Sequence, residues 1–364
     1  MTKTAGIATF TGNVNGNGLT INGTGGTLKL GTGLTHTFTV TWTYSNGTLN
    51  GGSSLLNIGT NGTFTAGTFI PGTGTVNYYA AVIQTLAGVT YNNLNISGSG
   101  TKSLGGSATV QGILTLSGGT FAVGPNTLTL NGPSIAGTPN NLSTAASSTL
   151  VFGGSSIGIA VPSGVASLNN LTISNSNGIS LSGPLSSGSL TFTSGSLNTT
   201  SVNLLTITNT AAGSIGGASG TSYINGPLAR TLLAGQTSYG TPYLFPVGDG
   251  AGYRPLELLN ITTGATTPVI LVSESGTGAV TGDATTITSV APRNWNVQVS
   301  SGNFTSANVR LTEDLLDFTK TIGQSAAQSG AYVSVGGTNT GTSITTASAI
   351  TNASLPAYFA IGTN

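Results

Sequence analysis

The sequence predicts an all-β protein in which a Gly/Thr-rich β-solenoid, or a stack of β-repeats, is followed by a β-sandwich. Composition is the first reason: glycine supplies 57 of the 364 residues, and charged residues only 4%. The second is that apolar residues, 37% of the chain, alternate with Thr and Ser in short runs, as in half-buried strands. The third is an internal repeat, since such units bury their apolar faces by stacking.

The repeat covers residues 91–130 and, in a second copy, residues 168–207. Asn92-Asn93-Leu94 in the first copy matches Asn169-Asn170-Leu171 in the second, and matching residues lie 76 or 77 positions apart throughout. One unit alone exposes an apolar face, so the copies are expected to stack on neighbouring units. Because the strand spacing does not reduce to a single coil length, stacked sandwiches are an alternative to a true solenoid.

Short strands separated by Asn-Gly turns fill the first part of the chain, since this dipeptide supplies the positive φ angles of tight turns. In Thr35–Thr43, strict alternation predicts that Thr side chains lie on one face and that His36, Phe38, Val40 and Trp42 lie on the other. The predicted strands are Ile7–Phe10, Leu19–Ile21, Thr27–Leu30, Leu34–Tyr44, Leu55–Ile58 and Thr63–Phe69.

Charge changes abruptly along the chain. No Asp or Glu precedes Arg230, and all seven acids lie between Arg230 and Lys320. This step predicts two domains: a repeat section, residues 1–222, and a C-terminal section, residues 223–364. One short helical turn is expected over Glu313–Thr319. The longer strands predicted for the sandwich are Pro255–Ile261, Val269–Glu274, Trp295–Val299, Asn308–Thr312, Ala331–Val335 and Ala357–Ile361.

Several segments resemble a known family. The repeat-section segments are Val76-Asn77-Tyr78, Gln84-Thr85, Tyr91-Asn92-Asn93-Leu94, Gly100-Thr101-Lys102 and Leu114-Thr115-Leu116-Ser117-Gly118-Gly119-Thr120-Phe121. The C-terminal segments are Ile224–Arg230, Tyr243–Asp249 and Tyr253–Leu258. Together they resemble the Gly/Thr-rich repeat proteins of the Bacteroidota cell surface, which are secreted by the type IX system. The resemblance implies an extracellular, surface-displayed protein with a structural or adhesive role, and no particular ligand.

The inventory of side chains argues against several function classes. A net charge of +1 provides no basic patch for nucleic acid, and no apolar run is long enough to predict membrane insertion. The repeat section has no carboxylate, so it cannot supply the acid/base pair that polysaccharide hydrolysis needs. We therefore predict that the protein is not an enzyme, with no catalytic residues and no cofactor.

Candidate ligand sites are few. Asp249, Asp283, Glu313, Asp314 and Asp317 have the oxygen ligands that Ca²⁺ prefers, but no spacing matches a known loop, so no metal site is predicted.

Other polar and aromatic side chains have structural interpretations. His36 is expected to face the core or an edge. Arg230, Arg254 and Arg293 are expected to pair with Glu257 or Asp249 across strands. Two alternatives are open for four tyrosines, which could stack on sugar rings or fill the core and the solenoid ends. They are Tyr78, Tyr79, Tyr91 and Tyr239.

The function predicted by elimination is an extracellular structural protein, a self-assembling surface fibre or adhesin subunit. Its partners would be other copies of itself, joined head-to-tail, because open strands at a solenoid end can pair with further strands. The alternative is a carbohydrate-binding adhesin module of a larger surface protein, with surface polysaccharide as the partner. The predicted assembly interface comprises Ile7, Phe10, Leu19 and Ile21 at one end and Tyr358, Phe359 and Ile361 at the other.

Overall fold

A computed structural model describes residues 1–61, 63–64, 67–276, 281–313 and 317–363. The protein is nearly all β, with 51% strand and 3% helix, and stacked parallel strands form a β-solenoid of about 12 turns. The predicted fold class is therefore confirmed. Parts of the predicted strand Thr63–Phe69 and of the predicted helical turn Glu313–Thr319 lie outside the described residues. Three single-turn 3₁₀ helices are described, at Pro139–Asn141, Ala212–Ser214 and Asn352–Ser354.

The chain divides into two compact units, unit 1 (Met1–Asn177) and unit 2 (Gly178–Asn364). The strands of unit 1 are β1 Ile7–Thr9, β2 Val14–Ile21, β3 Thr27–Lys29, β4 Thr35–Tyr44, β5 Thr48–Asn50, β6 Leu55–Ile58, β7 Thr63–Phe64, β8 Thr68–Ile70, β9 Thr75–Tyr78, β10 Gln84–Leu86, β11 Thr90–Tyr91, β12 Asn93–Ile96, β13 Lys102–Leu104, β14 Ala108–Val110, β15 Leu114–Leu116, β16 Phe121–Ala122, β17 Thr127–Leu130, β18 Ile135–Gly137, β19 Leu142–Ser143, β20 Thr149–Phe152, β21 Ala160–Val161 and β22 Ser167–Ser174.

Parallel sheets form the walls of the solenoid in unit 1. Their strand orders are β1-β3-β5-β8, β2-β4-β6-β9-β12-β15-β18, β10-β13-β16-β19 and β11-β14-β17-β20-β22, and β7 also pairs with β4. In each sheet the next strand along is supplied by the next coil of the chain. This arrangement is typical of a solenoid and differs from stacked sandwiches.

Stacked side chains set the register of these sheets. Leu56, Val76, Leu94 and Leu114 are partners on successive strands, and all four are buried. On the outer face, Asn57 Nδ2 donates to Thr37 Oγ1 at 3.2 Å and Asn77 Nδ2 donates to Asn57 Oδ1 at 2.8 Å, each across 20 residues of sequence. A one-residue slip would exchange the two faces, so this alternation fixes the register.

The two copies of the sequence repeat do not occupy equivalent places. Leu94 of the first copy lies in β12, in the sheet that begins with β2. Leu171 of the second copy pairs with Leu150 of β20, in the sheet that begins with β11. The two copies therefore share the sequence of their strands but not their position in the solenoid. One coil is much shorter than the 76 or 77 residues between the copies, since Leu56 pairs with Val76 and Leu94 with Leu114.

Val40 departs from the predicted alternation of β4. Its side chain is 63% exposed, whereas His36, Phe38 and Trp42 are buried as predicted. Gly16 of β2 pairs with Phe38, but Gly18 pairs with Thr41, so β4 has an extra residue at this place. This β-bulge turns Val40 outward, and the expectation of an inward Val40 was wrong.

Unit 2 begins with parallel strands, and its later strands pair antiparallel except for β35 with β40. Its strands are β23 Ile179–Leu181, β24 Leu185–Ser194, β25 Leu197–Asn198, β26 Leu205–Ile207, β27 Ile215–Gly216, β28 Ile224–Asn225, β29 Leu228–Thr231, β30 Tyr243–Phe245, β31 Val247–Asp249, β32 Gly252–Tyr253, β33 Leu256–Thr263, β34 Val269–Ser275, β35 Thr281–Gly282, β36 Ser289–Val290, β37 Asn294–Ser301, β38 Phe304–Thr312, β39 Lys320–Ser325, β40 Ala331–Gly336, β41 Thr338–Asn339, β42 Ser343–Thr345, β43 Ile350–Thr351 and β44 Ala357–Thr363.

The change of strand direction in unit 2 comes at β29 and β31. β29 pairs in parallel with β26 and antiparallel with β34, and β31 pairs in parallel with β28 and antiparallel with β32. Parallel stacking thus continues past residue 222, where the composition changes. The division into sections 1–222 and 223–364 stays a prediction.

The antiparallel part of unit 2 forms the predicted sandwich sheets. One runs β29-β34-β37-β44-β39-β40-β35, and the other runs β30-β33-β38-β42-β41. Each buries one face, for example Val272 and Trp295 in the first sheet and Leu258 and Val309 in the second. The charged side chains described next come from β31, from β34 and from the segments that adjoin β32, β37 and β38.

Candidate functional site

β1 is the last strand of its sheet at the N-terminal side of unit 1. The C=O of Gly6 accepts a hydrogen bond from the Thr27 N–H, and the Phe10 N–H donates to Lys29 O, both at 2.9 Å. Because residues of a parallel strand alternate in the side to which they bond, Ile7 and Thr9 direct their N–H and C=O groups away from β3. The outer side of β1 is therefore an open edge.

The four N-terminal residues of the predicted interface differ in exposure. Ile7 is 66% exposed, Phe10 and Leu19 are half-buried, and Ile21 is buried. The ring of Phe10 lies 5.0 Å from that of His36, measured between centroids. Ile7 is thus the apolar side chain of this group that is well placed to contact another molecule.

The C-terminal residues of the predicted interface do not lie on a free strand edge. Phe359 and Ile361 are buried, and Tyr358 is half-buried. Their strand, β44, pairs with β37 on one side and β39 on the other. The expectation that the last strand of the chain is open was wrong, because the chain returns to the middle of its sheet instead of adding to the edge.

Five charged side chains from separate parts of the sequence converge in unit 2. Arg293 Nε lies 3.2 Å from Glu274 Oε1, and Arg293 Nη1 is hydrogen-bonded to Glu313 Oε1. Arg254 Nε lies 3.8 Å from the same Glu313 oxygen. The fifth residue, Asp249, contributes to the electrostatic environment of Glu274. In a chain with so few charges, this group, which we call the charged cluster, is a distinctive feature.

Glu274 is the most deeply placed member of the charged cluster, and its side chain has no solvent exposure. Burial, which disfavours the charged carboxylate, and secondly the negative charge of Asp249 raise the pKa of Glu274 to about 7. Arg293 and Arg254 act in the opposite direction. Glu274 therefore exchanges a proton near neutral pH, which is unusual for a carboxyl group.

A cleft of about 390 Å³ adjoins the charged cluster. The backbone carbonyl of Asp249, on the β31–β32 hairpin, accepts a hydrogen bond from the Tyr223 hydroxyl at 3.1 Å, and the rings of Tyr223 and Tyr253 lie 5.8 Å apart. Both rings are half-buried. The cleft is lined by Gly220, Gly252, Tyr253, Arg254, Pro255, Thr312 and Glu313. An aromatic ring beside a guanidinium and a carboxylate can bind a polar, ring-shaped ligand.

The predicted partners of the three arginines were wrong. Glu257 does form a cross-strand pair, but with Arg310, at 2.6 Å. Arg254 and Arg293 pair with Glu313 and Glu274 rather than with Glu257 or Asp249.

Arg230 is fully buried, and none of the described carboxylates pairs with it. It donates to the carbonyls of Leu244, Ala211 and Ala212 and to Ser214 Oγ. The partners of these arginines depend on how the strands pair in the fold, and distance along the sequence does not predict that.

Of the acids considered for Ca²⁺, Asp249 and Glu313 belong to the charged cluster, whereas Asp283 and Asp317 accept hydrogen bonds within their own turns. Within the described ranges there is no group of three or more His, Cys, Asp or Glu side chains placed to hold a metal ion. Asp283 binds its own loop, accepting hydrogen bonds from the N–H groups of Thr285, Thr286 and Ile287, and these bonds lower its pKa. Asp314 lies outside the described residues. The carboxylate of Asp283 therefore stabilises its own turn.

Two of the tyrosines considered for sugar binding fill the core of unit 1. Tyr78 and Tyr91 are fully buried, and their hydroxyl oxygens lie 3.2 Å apart. Burial raises the pKa of Tyr78 to about 12. Tyr79 and Tyr239 are half-buried. The core-filling alternative therefore holds for Tyr78 and Tyr91.

His36 and Lys102 are internal cross-links in unit 1. His36 is buried, as predicted, and its Nε2 lies 2.7 Å from Leu30 O while its Nδ1 accepts from the Val14 N–H at 3.2 Å. Since Nδ1 acts as an acceptor, the proton is assigned to Nε2. Lys102 is also buried. Both side chains connect neighbouring coils.

Sequence reasoning missed Glu274, Tyr223 and Tyr253 as site residues. Each had a weak signal: Tyr223 stands at the predicted domain boundary, Tyr253 lies next to Arg254 in the segment that resembles a surface-protein module, and Glu274 ends a predicted strand. Their convergence arises from the β31–β32 hairpin and from the pairing of Glu274 with Trp295 across β34 and β37. Neither contact is local in sequence.

No protein-family model, curated protein or solved structure matches the chain. Among the described residues, no helix is long and apolar enough to cross a membrane.

Proposed function

We propose that the chain is an extracellular structural protein, a subunit of a surface fibre or adhesin layer whose copies join head-to-tail. The observation that carries the proposal is the open outer edge of β1, where the N–H and C=O groups of Ile7 and Thr9 point away from the sheet. Unpaired edges of this kind are templates for further strands. The exposed side chain of Ile7 adds apolar area at the same place.

The geometry of the stack supports a head-to-tail contact. Two copies that met through the same edge by a two-fold axis would place their β1 strands antiparallel, whereas the described strand pairs of unit 1 are all parallel. Continuing the parallel stack needs a different surface of the second copy. A net charge of +1 offers little repulsion against such association.

The partner surface would come from the C-terminal section without using the backbone of β44. The strands that end the sandwich sheets are β35 in one sheet and β30 and β41 in the other. The half-buried Tyr358 is the member of the predicted C-terminal interface that keeps exposed area. The extracellular location is supported by the resemblance to surface proteins secreted by the type IX system.

The test is a substitution in β1 that removes an outward donor. Thr9→Pro deletes the N–H of Thr9, and proline is tolerated in edge strands. We expect concentration-dependent association of the full chain in light scattering, weakened about tenfold or more by Thr9→Pro. Thr9→Val, which keeps the N–H, is the matched control and should associate like the parent. Ile7→Lys should also weaken association by placing a charge on the edge.

Two results would contradict the assembly proposal. One is a full-length chain that stays monomeric at high concentration. The other is equal association by Thr9→Pro, Thr9→Val and the parent chain, with circular dichroism showing that all three are folded.

A second candidate function is a carbohydrate-binding module of a larger surface protein. It is favoured by the Tyr223–Tyr253 ring pair beside Arg254 and Glu313, because aromatic rings next to charged hydrogen-bonding groups suit sugar rings. The two functions are compatible, since the cleft lies in unit 2 and the open edge in unit 1.

A further inference from the structure

The cleft beside the charged cluster contains hydrogen-bonding groups that the protein itself does not use. Arg254 Nη1 donates to Tyr253 O at 2.8 Å and Arg254 Nε faces Glu313 Oε1, but Nη2 has no partner among the described residues. Glu313 Oε1 accepts from Arg293, while Oε2 likewise has no described partner. Two residues that line the cleft, Arg254 and Glu313, whose closest charged atoms are 3.8 Å apart, therefore keep one donor and one acceptor without a described partner.

The positions of these two groups are well fixed. The Arg254 N–H donates to Val247 O at 2.9 Å, and Arg254 O accepts from the indole N–H of the buried Trp295 at 2.8 Å. Glu313 is held by its N–H bond to Thr342 O and by Arg293. Each side chain is about one-fifth exposed, 22% for Arg254 and 21% for Glu313. They are oriented by the fold before any ligand arrives, which lowers the entropic cost of binding.

An aromatic wall completes the cleft. The Tyr253 ring lines it, and Tyr223 packs against that ring with an interplanar angle of 39°. Burial raises the pKa of Tyr253 to about 12, so its hydroxyl is neutral and can also hydrogen-bond. The C–H groups of a pyranose ring are slightly positive, and they pack on the negative face of an aromatic ring.

The size and charge of the cleft restrict the ligand. Its volume of about 390 Å³ lies in the range of small-molecule sites. The nearby carboxylates of Asp249, Glu274 and Glu313 offset the guanidinium groups of Arg254 and Arg293. The cluster therefore has no net positive charge to attract an anion, and the carboxylate of Glu313 on the wall would repel one, whereas an uncharged polyol meets no such repulsion.

We propose that this cleft binds one residue of an uncharged saccharide. The sugar ring packs on Tyr253, one ring hydroxyl oxygen accepts from Arg254 Nη2, and the neighbouring hydroxyl donates to Glu313 Oε2. Adjacent hydroxyls on a pyranose can meet a donor and an acceptor from two such side chains. This inference deepens the carbohydrate-binding candidate and does not depend on self-association.

Two variants of the full chain probe the site. Tyr253→Ala removes the ring. Gly220→Leu instead fills the cleft, and a Cβ at Gly220 would meet no atom within 4 Å, so the fold should accept it. Gly240→Leu is the matched control, because Gly240 is also exposed and without neighbours within 4 Å but does not line the cleft.

The experiment is isothermal titration with cellohexaose, laminarihexaose, mannohexaose and xylohexaose as neutral probes, and with a galacturonate trimer as the anionic probe. We expect at least one neutral probe to bind, and both cleft variants to weaken its affinity about tenfold or more, with Gly240→Leu unchanged. The galacturonate trimer should not bind. The Thr9→Pro variant should bind the neutral probe like the parent, which separates this proposal from assembly.

Three outcomes overturn the inference: none of the neutral probes binds, only the galacturonate trimer binds, or a neutral probe binds equally well to Gly220→Leu and the parent. If Tyr253→Ala fails to fold, Gly220→Leu alone decides between these outcomes.

Discussion

The guanidinium of Arg230 lies over the ring of Tyr243, with its Cζ 5.2 Å from the ring centroid. Arg230 is fully buried and donates to backbone carbonyls and to Ser214 Oγ instead of a carboxylate. Burial lowers its pKa to about 10, which still leaves it charged at neutral pH. Arg230 lies in β29, the strand where parallel pairing gives way to antiparallel pairing. Its hydrogen bonds connect β29 to β30 and to the 3₁₀ helix Ala212–Ser214.

We predict that Arg230→Met destabilises the protein by roughly 3–5 kcal/mol, because the buried Ala212 carbonyl and Ser214 hydroxyl and the half-buried Leu244 carbonyl lose their donor. The measurement is the free energy of unfolding in urea. Arg310→Met is the control, since Arg310 pairs with Glu257 near the surface and its loss should cost about 1 kcal/mol or less. An Arg230→Met chain as stable as the parent would show that the buried cation is dispensable.

Stacked glycines shape one corner of unit 1 and give a second prediction. Gly52 has φ +59°, and a Cβ there would lie 2.0 Å from the carbonyl oxygen of Gly31 in the preceding coil. Gly33 has φ +67° but no atom within 4 Å of an added Cβ. Comparing Gly52→Ala with Gly33→Ala therefore separates the close approach of coils from backbone strain alone.

Gly33→Ala should cost about 1–2 kcal/mol, the usual penalty for a left-handed residue with a Cβ. Gly52→Ala should cost clearly more, because the carbonyl of Gly31 must move as well. Thermal unfolding of both variants measures this difference. Equal melting temperatures would mean that the coils can separate at this corner without loss.

The sequence was informative about strands and much less so about the site. Period-two alternation located β4, β6, β34 and β37 to within a few residues, because the residues of a strand themselves show which side chains share a face. Val40 was misplaced because a bulge depends on the register with β2, which the sequence of β4 does not contain. The charged cluster was missed for the same reason: Arg254, Glu274 and Glu313 meet only after three strands have paired.

Lys102 provides a third prediction. Its Nζ donates to Ala80 O at 2.7 Å, Gly100 O at 3.0 Å and Val82 O at 3.2 Å, and burial lowers its pKa. These carbonyls belong to two successive coils, so the ammonium group holds one coil to the next.

Lys102→Met should therefore destabilise the protein by roughly 1–3 kcal/mol, leaving the three carbonyls without their donor. Lys29→Met is the matched control, since Lys29 is exposed, and should lie within about 0.5 kcal/mol of the parent. Urea unfolding curves compare the two. If Lys29→Met lowers the free energy of unfolding as much as Lys102→Met does, the Lys102 ammonium group does not stabilise the contact between coils.

The last prediction concerns the pH dependence of stability through Glu274. Its pKa in the folded protein is about 7, above the ordinary value of 4.5 for a glutamate side chain. Between pH 4.5 and 7 the folded state therefore binds more protons than the unfolded state at this group. Stability from Glu274 is fully present below pH 4.5 and is lost as the pH rises through 7, with a slope of up to about 1.4 kcal/mol per pH unit.

The groups that face Glu274 are Asp249, Arg254, Arg293 and Glu313, and the window lies above the range in which carboxyl groups with a lowered pKa, such as Asp283 and Asp317, titrate. We expect urea unfolding at pH 4.5, 5.5, 6.5 and 7.5 to show a decline in stability that Glu274→Gln largely removes, because the amide cannot ionise. Asp317→Asn, which changes an exposed carboxylate outside the charged cluster, should keep the decline. An identical slope in the parent and in Glu274→Gln would mean that Glu274 ionises at the same pH in the folded and unfolded chains, and that its burial beside Asp249 has no energetic consequence.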